Sequence, residues 1–426
     1  MAKEETEVPL LKSSTTGTAS WAQTLGNIIV VIIGTGVLGL PYAFRVAGWL
    51  AGALGVTIAS IPVYYCMLLL VQCRDKLASS SSSDDESDVV HTYGDLGFRA
   101  FGKKGRYLTE SLVVLSQFGG SVAYLIFVGH NLSSIFKTHQ LSFTSFIFLL
   151  VPIEIALSWI RSLSALAPFS IFADICNILA MVIVIKQDLQ LFEGFSERKM
   201  ITSLSALPFA GGVAVFCYEG FGMTLALESS MSERRKFPWV LAMAFSGITV
   251  VYVLFGFFGY LAYGDQTRDI ITLNLPNDWS ATAVKIGLCV GLALTFPIMM
   301  HPINEIIEGK LKQREWFQKL CHYHSSRGAG ARERVVVYMS RALVVLVAAV
   351  VAVAVPGFGV FISMVGSTVS AMLSFVLPTT FHLMFCGSSM RLWQKALDFC
   401  ILSCGLAFAV YGTYNVVSKG DSKGAF

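Results

Sequence analysis

Charge is scarce in this sequence. Asp, Glu, Lys and Arg make up 14% of its 426 residues, against about 25% in an ordinary soluble domain. Strict apolar–polar alternation is missing as well, so neither a sandwich nor a membrane barrel is expected. Nine cysteines are present, yet no Cys-x-x-Cys pair occurs. Cys66, Cys176, Cys217, Cys289, Cys400 and Cys404 sit in apolar runs, as buried thiols do, and not in disulfide or metal-ligand spacing. The chain opens with a polar, acidic stretch, so no cleaved secretory leader is expected and the first apolar run would itself direct insertion. No nucleophile–base pair and no convincing metal-ligand spacing is visible, and no basic patch of the nucleic-acid kind. An enzyme, a bound cofactor, a metal centre and a nucleic-acid partner are therefore not expected.

What is abundant is hydrocarbon. Hydrophobic residues form 54% of the chain and mean hydropathy is +0.66. Runs long enough to cross ~30 Å of lipid, about 20 residues each, follow one another at 19–47, 48–73, 107–136, 143–159, 165–186, 204–231, 238–263, 279–303, 335–355, 360–385 and 392–417. Unpaired backbone groups are not tolerated in lipid, so these spans are helices. With the N-terminus in the cytosol, 22 of the 31 Lys and Arg fall on the cytosolic side and 9 on the other, which is the orientation the positive-inside rule favours. An odd number of spans then places the C-terminus across the membrane.

Two cytosolic loops stand out. The stretch Ser79 to Asp88 (SSSSSDDESD) cannot pack a core and is expected to be disordered; Ser83, before three acids, suits an acidophilic kinase. The basic stretch Gly309 to Arg334 suits anionic lipid headgroups. Cys321, His322 and His324 within it lack a fourth ligand for a metal. Asn131-Leu132-Ser133 is a glycosylation sequon in form, but it falls in or at the edge of the third span.

Punctuation inside the spans carries the functional signal. Gly34-Thr35-Gly36, Gly39 and Pro41 interrupt span one; Gly211-Gly212 and Tyr218-Glu219-Gly220-Phe221-Gly222 interrupt span six. Such residues free carbonyls and amides at membrane depth, which survives only where the backbone lines a cavity. Corresponding breaks five spans apart point to two inverted repeats, residues 19–186 and 204–385, meeting at a binding site. The remaining parts are a disordered cytosolic segment 1–18, cytosolic loops 74–106 and 304–334, an eleventh span 392–417 and a short luminal tail 418–426. The amides of Gly36, Val37 and Leu38, with the neighbouring Thr35, suit a carboxylate. The carbonyls of Ile32, Ile33 and Gly34, with those of Phe216, Cys217 and Tyr218, suit an ammonium. A zwitterion fits between them without a charged side chain. Of the acids within spans, Glu219 sits at a break, while Glu154 and Asp174 are equally readable as relays or as hydrogen-bonded structural groups.

Several blocks together resemble the amino acid/auxin permease family: GTGVLGLPYAF (from Gly34), TYGDLGFRAFGKKGR (from Thr92), YEGFGMTLALESSM (from Tyr218), VPGFGVFISMVGS (from Val355) and LPTTFHL (from Leu377). The segment from Thr24 to Val56 is most similar to plant vacuolar neutral amino acid exporters of the aromatic-neutral kind. The resemblance implies an all-α, eleven-span LeuT-type fold with a 5+5 inverted repeat plus one helix. It also implies secondary active or facilitative transport of neutral amino acids from vacuole to cytosol. Proton-assisted relatives have a histidine where this chain has Asn27. Sodium-coupled relatives have an asparagine where it has Val30, although the matching Thr295 is present. A valine offers a hard cation no side-chain oxygen, which argues against sodium and leaves proton coupling, through Glu219, open. Acidic residues ahead of Leu10-Leu11 resemble an adaptor-read sorting signal. A non-transporting amino-acid sensor and a carrier of auxin-like indole acids are the alternatives left open.

Overall fold

The computed structural model describes residues 17–80, 90, 92–136, 142–160, 163–190, 198–276, 278–315, 317, 329–355 and 357–421. The sorting signal near Leu10, Ser83, Cys321, His322, His324 and the side chain of Asp174 lie outside the described residues. Among the described residues no strand forms beyond one isolated bridge between Ala19 and Met231. Eight helices are long and apolar enough to cross a membrane, and a bent pair forms a ninth crossing. Phe143–Ser158 and Ile175–Gln187 are shorter apolar helices.

The first span is broken. Helix α1 (Trp21–Ile32) starts at a Ser20 capping box with Gln23 and stops at Ile33. A 3-10 turn (Thr35–Gly39) then leads into α2 (Leu40–Ala47), and the two parts are bent by 48°. Pro41 lies in the first turn of α2, where its missing N–H costs nothing. The order continues with α3 (Trp49–Ser80), α4 (Tyr93–Ile135), α5 (Phe143–Ser158) and α6 (Leu163–Gln190). The sixth span is broken too: α7 (Leu207–Cys217) and α8 (Phe221–Ser230) are separated by Tyr218, Glu219 and Gly220. Then come α9 (Phe237–Tyr263), α10 (Trp279–Lys312) and α11 (Ala329–Ala354). The tenth span is α12 (Phe358–Val365), two π-helical stretches (Gly366–Ser370 and Met372–Val376) and α13 (Leu377–Cys386); α14 is Leu392–Asp421.

Both loops expected on the cytosolic side are shorter than expected, because the helices overrun them. The block from Thr92 is helical, started by a Thr92–Asp95 capping box and folded back at Phe101 and Gly102. Gly102 sits at φ 63°, which suits glycine. Arg106 then pairs with Asp95 at 2.8 Å and Glu110 at 2.9 Å, closing the bend. On the other side of the chain, α10 runs on to Lys312 and α11 begins at Ala329. At the start of the first span, Ala19 N–H donates to Ser230 O at 3.0 Å and Ser232 N–H to Ala19 O at 2.9 Å. The start of α1 is thereby laced to the end of α8.

Side chains sort as lipid requires. Ile58, Ile61, Leu149 and Val410 face outward, while Tyr218, Tyr252, Phe255 and Phe296 are fully buried. Several buried charges are paired: Arg74 with Glu228, Arg341 with Glu308 at 2.7 Å, and His382 with Asp398 at 2.6 Å. Asn131 is fully buried, donating to Phe127 O and accepting from Thr272, so the sequon offers no accessible amide. The sixth and tenth spans meet backbone to backbone, where a Cβ on Gly366 would lie 1.8 Å from Gly212 O. Gly366→Val is therefore expected to reduce the yield of monodisperse protein roughly tenfold, because backbone cannot retreat from the added methyls. Gly26→Ala, whose Cβ meets nothing within 4 Å, should leave the chromatographic profile unchanged.

Candidate functional site

The two breaks face one cavity of about 310 Å³, at the small end of the range for small-molecule sites. Its wall comes from residues 30–36 of the first span, from Phe216, Cys217, Glu219 and Gly220 of the sixth, and from α4, α6 and α10. Of the residues expected to bind, Ile32, Ile33, Gly34, Thr35, Gly36, Phe216 and Cys217 line it, as do Glu219 and Thr295. Val37, Leu38 and Tyr218 are buried elsewhere, each with no exposed surface. Glu154 lies on α5, 1% exposed, and is not part of this wall.

Hydrogen-bond accounting narrows the backbone groups further. Gly34 is the N-cap of the 3-10 turn, so its carbonyl accepts the first bond of the turn, from Val37, and the amide of Leu38 is likewise spent three residues back. Ile32 O accepts from Gly34 N–H at 2.9 Å and shares the Tyr252 hydroxyl proton, at 3.1 Å, with Cys217 O. Phe216 O accepts from Glu219 N–H at 3.3 Å, and Cys217 O from Tyr252 at 3.0 Å. The expectation that Val37, Leu38, Ile32 and Gly34 present free groups is thus corrected by the winding of the turn. The Ile33 carbonyl and the amides of Thr35 and Gly36 have no partner among the described residues. The N-terminal end of α8, at Gly220 and Gly222, also reaches the cavity, adding a positive dipole end to the wall.

The glycines differ in what they permit. A Cβ on Gly36 would lie 3.0 Å from Cys217 Sγ and from Phe216 Cδ1, whereas one on Gly34 would meet nothing within 4 Å. Gly36 thus lets the two breaks touch, while Gly34 fronts open space at extended backbone angles that any residue adopts.

Polar side chains complete the wall. Ser370 Oγ, from the first π-helical stretch, donates to Glu219 Oε2 at 2.6 Å, and Ser116 lines the same cavity. Gln117, Tyr124 and Asn177 also line the cavity. Thr295 Oγ1 is turned to Gly291 O at 2.8 Å, and Val30 stands at the same cavity with no oxygen to offer. Sequence reading passed over Ser116, Gln117, Asn177, Ser370 and Tyr252. The polar dipeptide Ser116-Gln117 within an apolar span was the one visible signal.

The family model described as "Transmembrane amino acid transporter protein" matches residues 17–418. The chain belongs to that family. It is 60% identical to Amino acid transporter ANT1 of Arabidopsis thaliana over 97% of both chains, and 38% identical to Amino acid transporter AVT3B of the same plant over 93% of both. Proton-coupled amino acid transporter-like protein pathetic of Drosophila melanogaster is 28% identical over 92% of this chain and 83% of its own length. Among solved structures, the inward-facing conformation of Mhp1 superposes with a TM-score of 0.57 over 96% of this chain and 92% of that one, at 12% identity. A closed, bromovinylhydantoin-bound Mhp1 gives 0.51 over 96% and 94%. The LeuT-type fold is therefore shared, and the protein is a multi-pass membrane transporter by family, not an enzyme.

Filling the contact at Gly36 should be more damaging than filling the space at Gly34. Gly36→Leu is expected to lower substrate flux at least ~100-fold, since the branched side chain overpacks two break segments at once. Gly34→Ala should fold normally, with flux within about tenfold of the parent, since its methyl enters open cavity. Uptake into proteoliposomes at matched protein density checks both.

Proposed function

We propose that this protein carries neutral amino acids across the vacuolar membrane into the cytosol, linked to protons or by facilitated exchange. The observation that carries the proposal is the polarity of the cavity wall. It offers a backbone carbonyl at Ile33, backbone amides at Thr35 and Gly36 and a helix N-terminus at Gly220, with no Lys, Arg or His among its lining residues. Such a wall satisfies an ammonium and a carboxylate on one α-carbon, and gives a lone carboxylate no counter-charge. That favours a zwitterion over an indole acid. The relatives named as amino acid transporters support the substrate class, and the similarity of residues 24–56 to vacuolar exporters supports the compartment. The Lys and Arg asymmetry supports a cytosolic N-terminus.

Glu219 is the proposed proton carrier. It is the one acidic side chain on the cavity wall among the described residues, and its hydroxyl partner Ser370 sits on the tenth span. Its load would therefore be felt by two spans at once. Sodium is not expected to substitute, because the Val30 side chain cannot ligate a hard cation.

Uptake of a labelled amino acid panel by purified proteoliposomes, with lumen pH and sodium varied separately, tests this reading. Leucine and other neutral side chains should be taken up, with Asp, Glu and Lys below ~10% of that rate, about 1.4 kcal/mol of discrimination or more. Glu219→Gln should abolish proton-driven accumulation and keep amino-acid exchange within about tenfold, since glutamine retains hydrogen bonding but carries no exchangeable charge. Binding of leucine with no flux in any condition would show a sensor in place of a carrier.

A further inference from the structure

Both N-terminal half-helices of the broken spans end at one side chain. Tyr252, in the middle of α9, places its hydroxyl 3.1 Å from Ile32 O and 3.0 Å from Cys217 O. Those are the carbonyl ends of α1 and α7. Two helix C-termini each carry partial negative charge and repel one another at close range; a shared hydroxyl proton holds them together. Ile32 and Cys217 line the cavity and Tyr252 does not, so the hydroxyl approaches from behind. The ring itself is locked. It has no exposed surface and lies 5.2 Å from the Tyr218 ring, whose hydroxyl bonds Thr249 Oγ1 at 2.9 Å one turn earlier on α9.

A tyrosine hydroxyl has one proton, so it serves the two carbonyls alternately. Ile32 O also has Gly34 N–H; Cys217 O has only its share of the Tyr252 proton among the described residues, and Cys217 lines the cavity. From this geometry we infer that Tyr252 is a positioning residue for the amino end of the substrate. It fixes the Cys217 carbonyl beside the free Ile33 carbonyl, and the substrate ammonium completes the bonds that one hydroxyl proton cannot. This inference rests on the amino-acid reading of the cavity. It adds a residue that never touches the substrate, yet sets how tightly the ammonium is gripped.

Equilibrium binding to the purified full-length protein tests it, with leucine, N-methylleucine and 2-hydroxyisocaproate as probes. Tyr252→Phe should raise the Kd for leucine about tenfold, the loss of one hydrogen bond to a fixed carbonyl pair. The N-methylleucine Kd, already penalised by a crowded amino seat, should rise less than threefold, so the ratio between the two narrows. The hydroxy acid, which has no ammonium, should bind the variant and the parent alike. Thr249→Val, which frees Tyr218 from its place against the Tyr252 ring, should move leucine affinity the same way by about threefold, and serves if the phenylalanine variant does not fold. Equal loss of affinity for all three probes, or unchanged leucine affinity in both variants, would overturn the inference. Parent protein that binds leucine without transporting it would contradict the carrier reading and leave the Tyr252 comparison standing.

Discussion

In hydrocarbon an unpaired peptide group has no water to turn to, and each one left unsatisfied costs several kcal/mol. The architecture follows from where this chain violates that rule. Two of its spans abandon the helical ladder at membrane depth, at Ile33–Gly34 and at Tyr218–Gly220. Everything that surrounds the breaks supplies a partner, excludes lipid, or leaves a chosen group open. The 3-10 winding of Thr35–Gly39 absorbs the amides of Val37 and Leu38, Tyr252 absorbs two helix-end carbonyls, and the remaining groups front a cavity.

The tenth span answers the same constraint by another route. A π-helix leaves its carbonyls and side chains in a register that an α-helix cannot offer. Tyr93 Oη reaches Leu373 O within the second π stretch at 2.8 Å, and Ser370 at the end of the first reaches Glu219. Close backbone contact between Gly212 and Gly366 holds the sixth and tenth spans in step, so the carboxylate at the break cannot change partners without the tenth span responding. The start and end of the half-helix pair α1 and α8 are also laced by Ala19, Ser230 and Ser232, which makes a joint motion of the two natural.

Much of this was legible before the coordinates. Glycine and proline inside apolar runs marked both breaks, because no other residues interrupt a lipid-embedded helix so readily. Ile33, Thr35, Gly36 and Cys217, which line the cavity, were among the residues chosen on that basis. Which backbone groups stay open was not legible, since it depends on a 3-10 turn in place of an α-turn at Thr35. Tyr252 was hidden for a different reason: one tyrosine in an apolar helix looks like core, and only the approach of two distant helix ends gives its hydroxyl a role. Glu154 drew attention as a charge in a span, yet it sits on α5 away from the cavity wall. The overrun of α3, α4 and α10 beyond their apolar runs was missed because hydropathy reports where lipid ends, and capped, ion-paired turns continue past that level.

The central claim is that peptide groups of the two breaks, and not charged side chains, hold the substrate. A cryo-electron microscopy map of the full chain with saturating leucine in lipid nanodiscs addresses it directly. The account predicts ligand density in the cavity between residues 33–36 and 216–220, its carboxylate end at the amides of Thr35 and Gly36 and its amino end at the carbonyls of Ile33 and Cys217. Density seated against a charged side chain elsewhere, with the two breaks unoccupied, would contradict it.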